Sequence, residues 1–128
     1  MAKKRIFISF DYDHDEVIKV FLASQAKLSD SPFDFIDASV KEHLTGDWKE
    51  KVKRRLQNCD QAIILCGQHT HTASGVASEL SIIQELRMPY FLLKGYSDKI
   101  CSKPNGAFYN TLYDWTWPNL KALIGGAR

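Results

Sequence analysis

The sequence predicts an α/β fold: one domain built on an all-parallel, five-stranded sheet with helices on both faces. Three observations predict it. Short apolar runs of strand-forming residues alternate along the chain with longer stretches of helical periodicity. The runs Arg5-Ile6-Phe7-Ile8-Ser9-Phe10 and Ala62-Ile63-Ile64-Leu65-Cys66 lack the polar alternation of a half-exposed strand, which indicates burial on both faces as in parallel sheets. A length of 128 residues fits one domain, expected over 1–128, and is too short for two.

Taken in order, the first strand ends in Asp11-Tyr12-Asp13-His14-Asp15, expected as a polar loop. Val17, Val20, Phe21 and Ala23-Ser24 recur at helical spacing through about Leu28, and Ser29-Asp30-Ser31-Pro32 breaks that helix. Phe33-Asp34-Phe35-Ile36-Asp37 alternates and reads as a second strand. Gly46-Asp47 offers a helix start, and Trp48, Val52 and Leu56 carry its apolar stripe. Gly67 ends the third strand. A polar stretch, Gln68 to Thr72, then leads to Ser74, a cap for a helix running to about Arg87. Tyr90-Phe91-Leu92-Leu93 forms a fourth strand. Residues 95–112 read as a long loop with room for one helical turn, and Tyr113-Asp114-Trp115 as a short fifth strand. Thr116 caps a last helix, opened by Trp117-Pro118 and stopped by Gly125-Gly126.

Right-handed crossovers among five such strands give the order 2-1-3-4-5, a flavodoxin-like three-layer sandwich. The chain reverses direction between strands one and three, so the crevice at their carboxyl ends is the expected ligand site. Asp11-Tyr12-Asp13 and the 67–74 loop form its two lips.

Composition narrows the classes. With 17 basic and 15 acidic residues the net charge is +2, which gives no field directed at nucleic acid or a membrane surface. No apolar run reaches the ~20 residues of a membrane span, and the first strand is followed at once by acidic residues, unlike a signal peptide. Cys59, Cys66 and Cys101 make an odd count without a CxxC pair, the pattern of reduced thiols in the cytoplasm.

Four constellations could carry chemistry. Glu79 lies about one turn into the third helix among Val76, Ile82, Ile83 and Leu86. A carboxylate on such an apolar face is expected to have a raised pKa, and it can stabilise a developing oxocarbenium ion. A solvated Glu beside the stripe is the alternative. Asp11, Asp13, Asp15 and Asp37 gather at the ends of strands one and two. They could hold Mg²⁺ or accept a phosphoryl group as in a receiver, although turn and capping roles also account for them. Cys66, His69 and His71 have part of a zinc spacing, with His14 as the fourth recruit, but a strand-terminal Cys is usually buried and inert. Finally, Trp48, Trp115, Trp117, Tyr109 and Tyr113 are aromatics able to stack on a base or fill the core. Neither G-x-x-x-x-G-K-S/T nor G-x-G-x-x-G occurs, so the common phosphate cradles are missing.

Several of these segments together resemble TIR domains. Arg5 to Phe10 is similar to their opening strand motif, Phe35-Ile36-Asp37 to the second-strand motif, and Ala62 to Gly67 with Thr72 to Leu80 to the third strand and its Glu-bearing helix. The ending Tyr113-Asp114-Trp115-Thr116-Trp117-Pro118-Asn119-Leu120 is similar to that of the bacterial TIR-like family of Thoeris anti-phage defence. The resemblance implies an enzyme that cleaves the nicotinamide–ribose bond of NAD and releases an ADP-ribose-type signal. NAD is then substrate rather than cofactor, and no metal is required. It implies Glu79 as the catalytic residue, with Phe10, Asp11, Asp37, Ser39, Trp48 and Ser74 binding substrate. It also implies a homo-oligomer and a downstream effector protein as partners, without nucleic acid or membrane. One position departs from the pattern: many enzymatic relatives carry Trp four residues before the Glu, where this chain has Gly75. The alternatives are a non-catalytic TIR-like interaction module, a nucleotide N-glycosidase, and a receiver-like domain.

Overall fold

In the computed structural model, residues 4–28, 31, 33–38 and 47–124 are described, with the backbone alone at 12, 13 and 35–38. Ser39, the Gly46 helix start and the Gly125-Gly126 stop lie outside these residues. Five strands, β1 (Lys4–Ser9), β2 (Phe33–Ala38), β3 (Gln61–Cys66), β4 (Tyr90–Lys94) and β5 (Leu112–Tyr113), pair in parallel in the order β2-β1-β3-β4-β5. Among the described residues four α-helices accompany them, α1 (Tyr12–Gln25), α2 (Trp48–Gln57), α3 (Ser74–Glu85) and α4 (Trp117–Ile124), with one 3-10 turn at Thr70–Thr72. The predicted α/β architecture and strand order are those observed. Among the described residues no helix is long and apolar enough to cross a membrane.

Strand periodicity divides the core into two layers, because successive side chains point to opposite faces of the sheet. Ile6, Ile8, Ile63, Leu65, Phe91 and Leu93 pack on α1 and α4 through Ile18, Leu22, Leu120 and Leu123. Phe7, Ala62, Ile64 and Leu92 pack on α2 and α3 through Val52, Leu56, Val76, Leu80 and Ile83. Each fully buried side chain of this size contributes about 1.5–3 kcal/mol. At the edge, pairing slips between Ile6↔Phe35 and Phe7↔Asp37, so Ile36 is the extra residue of a β-bulge.

The first helix departs from expectation twice. It begins at Tyr12, within the run expected as a loop, because the Asp11 carbonyl accepts hydrogen bonds from the amides of His14 at 3.2 Å and Asp15 at 2.8 Å. Its buried stripe is Ile18, Leu22 and Ala26, while Val17, Val20 and Phe21 point outward, 66%, 51% and 63% exposed. The period was correct and the phase was not. The helix is kinked at Asp15, at φ −121° and ψ 18°, and beyond the kink residues 18, 22 and 26 turn inward at helical spacing onto the sheet.

Three smaller differences have local causes. Ala73 rather than Ser74 precedes the first residue of α3, and no side-chain cap forms there. The fifth strand covers Leu112–Tyr113, leaving Asp114 and Trp115 in the connection, where the Trp115 indole donates to Gln25 Oε1 at 2.9 Å. Residues 95–111 run through bends and turns without a helix, and the chain reverses near Gly106 at φ +95°, a conformation that suits glycine. Thr116 does cap α4, its Oγ1 accepting the Asn119 amide at 3.2 Å.

Candidate active site

β1 delivers Ser9 to the carboxyl end of the sheet on the face shared with Phe7, toward α3. Ser9 Oγ donates to Glu79 Oε1 at 2.7 Å, and both residues are 0% exposed. The solvated alternative for Glu79 therefore does not hold. A carboxylate at this depth is costly to enclose, and hydrogen bonds to charged acceptors are short and strong. Its sequence neighbours Val76, Leu80, Ile82 and Ile83 form the surrounding wall of α3.

The other predicted site residues divide. Trp48, the first residue of α2, is half-buried against the same α2–α3 layer, so it lies on the Glu79 face of the sheet. Phe10 lies on the opposite face: it is 2% exposed in the α1 layer, with Lys19 Nζ 5.8 Å from its ring centre. Asp11 is buried, and its Oδ2 accepts from His14 Nδ1 at 2.7 Å. Ser74 is exposed at the head of α3. The backbone of Asp37 is paired with Phe7 on the edge strand.

A second polar group joins the two lips of the crevice, with Tyr96 the member that the sequence did not single out. The His14 ring lies on that of His69, with centres 4.1 Å apart and planes tilted by 30°. Beneath them Asp15 Oδ1 accepts the Tyr96 hydroxyl at 3.1 Å, while Oδ2 has no hydrogen-bond partner among the described residues. Burial raises the Asp15 pKa; the Tyr96 hydrogen bond offsets part of that, and the nearby Asp11 adds to the rise. Tyr96 is in turn pushed up to about 12, by burial first and by the Asp15 carboxylate second. Gly67 makes this arrangement possible, since a Cβ there would lie 2.4 Å from Asp15 Oδ2.

The partial zinc pattern separates into three destinations. Cys66 is fully buried, and desolvation drives its thiol well above the ordinary range, away from thiolate chemistry. His69 goes to His14. His71 Nδ1 lies 2.8 Å from Ser102 Oγ, which also receives the His71 amide at 3.0 Å, so this side chain ties the loop after β3 to the loop after β4. Among the described residues no group of three or more His, Cys, Asp or Glu is placed to hold a metal. Of the acidic run, Asp11 engages His14 and Asp15 engages Tyr96, while the side chains of Asp13 and Asp37 lie outside the described residues.

A cavity of about 580 Å³ opens at the amino end of β4, beside Arg87, Pro89, Tyr109 and Asn110. That is the far end of the sheet from Ser9 and Glu79, where strand topology does not place ligands. The carboxyl-end crevice remains the candidate site, on topology and on its buried carboxylate.

Sequence reasoning did not find Ser9, although a single hydroxyl inside an apolar strand was a visible signal. The Asp15–Tyr96 contact, 81 residues apart, had none. Residues 7–94 match the family model of the TIR-like domain of the Thoeris protein ThsB, well over half of the chain, and the match contains Ser9, Asp11, Trp48 and Glu79. No curated protein matches the chain.

Proposed function

Because the chain belongs to the Thoeris ThsB TIR-like domain family, we propose that it cleaves the nicotinamide–ribose bond of NAD and releases an ADP-ribose-type signal in anti-phage defence. The observation that carries this reading is the buried Ser9–Glu79 pair at the carboxyl end of β1. In the reaction the C1′–N1 bond breaks, neutral nicotinamide leaves with the bonding electrons, and the ribose gains oxocarbenium character. The Glu79 carboxylate stabilises that charge and holds the ribose diol, with Ser9 fixing its orientation. Water or a hydroxyl of the same nucleotide then forms the new bond to C1′ and gives up its proton. Trp48, on the Glu79 face, is the candidate wall for the nicotinamide side, and Asp11, Asp37, Ser39 and Ser74 are carried as substrate-binding candidates. Glu79 presents no surface in this conformation, so the ribose reaches it only when the site opens.

That enclosure also supports the second reading, a non-catalytic interaction module in which Ser9 and Glu79 are an internal polar pair and Gly75 stands in place of the aromatic that many enzymatic relatives carry four residues before the Glu. The two readings separate on nicotinamide release from NAD at high protein concentration, measured for wild type beside Glu79→Gln. The enzyme reading expects release that falls at least about 100-fold in the variant with the fold intact. No release from wild type under any condition that concentrates the protein favours the module.

A further inference from the structure

We propose that the cavity at the amino end of β4 is a second ligand site, one that takes a mononucleotide: a cation meets its phosphate and exposed aromatic rings meet its base. Strand topology assigns the substrate to the carboxyl ends of the strands, so an occupant here is additional to the substrate. The cavity holds about 580 Å³, a size typical of small-molecule sites. It lies where α3 turns into β4, beside the loop that leads to β5.

The cation is kept there against the backbone's preference. α3 ends in a Schellman turn, in which the amide of Met88 donates to the Ile83 carbonyl and the amide of Arg87 to the Gln84 carbonyl, each at 3.1 Å. That turn requires a left-handed residue, and Arg87 fills the position at φ 55°. It is the one non-glycine residue at positive φ among the described residues. Glycine suits the position because it has no Cβ to clash, and backbone outliers of this kind cluster at ligand sites. Arg87 lines the cavity, and among the described residues no acidic side chain does. The acid two positions away, Glu85, is taken by Lys49 at 3.8 Å and Lys53 at 3.2 Å, both from α2. A guanidinium so placed can meet a phosphate with paired donors.

The rings stand on a braced frame. Gln84 Nε2 donates to the Tyr90 hydroxyl at 3.1 Å and to the Gly106 carbonyl at 3.0 Å, and the Tyr90 hydroxyl donates to Asn110 Oδ1 at 3.0 Å. These bonds tie the loop before β5 to the end of α3 and the start of β4. Lys103 Nζ adds a bond to the Phe108 carbonyl at 3.2 Å. Tyr109 belongs to this braced loop and lines the cavity, yet its side chain is fully exposed. A large ring held bare to solvent offers a free π face, and Asn110 and Thr111 beside it supply hydrogen-bonding groups for the edge of a base. A nucleic-acid strand needs a row of cations, whereas a single guanidinium with a single bare ring matches one phosphate and one base.

The test is calorimetric titration of the intact chain with adenosine monophosphate as the probe, beside adenosine and inorganic phosphate. The monophosphate is expected to bind, and each of the other two to bind at least about tenfold more weakly, since each lacks one half of the recognition. Arg87→Gly should weaken the monophosphate about tenfold or more without lowering the melting temperature, because glycine suits the left-handed position, so the loss is not one of folding. Tyr109→Ala, at a fully exposed position, should weaken it about tenfold with an unchanged circular dichroism spectrum. A chain that does not bind the monophosphate, or binds adenosine or phosphate equally well, overturns the proposal. So does an affinity indifferent to both substitutions, which is also what binding at the carboxyl-end crevice would give. The site lies at the other end of the sheet from Glu79, and these outcomes do not depend on whether nicotinamide is released.

Discussion

Ser9 and Glu79, separated by 70 residues, share a 2.7 Å hydrogen bond from the hydroxyl to the carboxylate. The bond joins the end of β1 to the second turn of α3, so it couples the strand at the topological switch point to the helix beside it. A single hydroxyl in an apolar strand is an unusual expense for a core, and here it has the buried carboxyl group of Glu79 as its acceptor.

Replacing Ser9 by Ala should therefore affect two quantities together. Loss of the donor to an enclosed carboxylate costs about 1–3 kcal/mol of stability, read by urea denaturation. Nicotinamide release should fall about tenfold at saturating NAD, since the carboxylate loses the group that orients it. A variant with the stability loss and undiminished turnover would make Ser9 structural only.

Asp15 gives a pH dependence with a definite sign. Its folded pKa is raised above the ordinary 3.8, chiefly by burial. Between those two values the folded chain keeps a proton that the unfolded chain has released. Its contribution is therefore full below 3.8 and is lost as pH climbs through the folded value. Asp15→Asn should melt higher than wild type at pH 7 to 8, with the advantage shrinking toward pH 3.8. Asp60, held low by the Arg5 amide and guanidinium, runs the opposite way but is common to both proteins, so the difference in melting temperature isolates Asp15.

Gly67→Ala tests the contact itself. The new Cβ would meet Asp15 Oδ2 at 2.4 Å and Oδ1 at 2.5 Å, and a short, buried side chain has little room to yield. The expected cost is about 2–4 kcal/mol by chemical denaturation. In an Asp15→Ala background the same change should cost well under about 1 kcal/mol, giving a coupling energy of about 1–3 kcal/mol. Independent, additive effects would show that the carboxylate does not rest on Gly67.

The strands and their order were legible because apolar runs without alternation identify buried parallel strands whatever the distant contacts. The helices were legible in period. The phase of α1 was not, because Val17, Val20 and Phe21 make as good an apolar stripe as Ile18, Leu22 and Ala26. What decided between them was the kink at Asp15, beyond which Ile18, Leu22 and Ala26 are the stripe packed in the core layer with Ile6, Ile8 and Leu65. Glu79 could be singled out from its apolar neighbours, but not its enclosure, since Ser9 reaches it through strand pairing. That His14 faces His69 was legible, since the strand order sets their loops on the two lips of one crevice, but the ring stack was not.

The two layers of the core also differ in when a growing chain can finish them. The α2–α3 layer has its covering helices by Glu85, before β4 is made. The other layer waits for α4: Leu120, Leu123 and Ile124 close it, and Gln61 Nε2 donates to the Leu123 carbonyl at 3.2 Å across 62 residues. During synthesis Ile63, Leu65, Phe91 and Leu93 therefore emerge with half their cover missing. Until residues 117–124 leave the ribosome, the nascent chain presents an oily strip on one side of a nearly complete sheet, the kind of surface that chaperones hold.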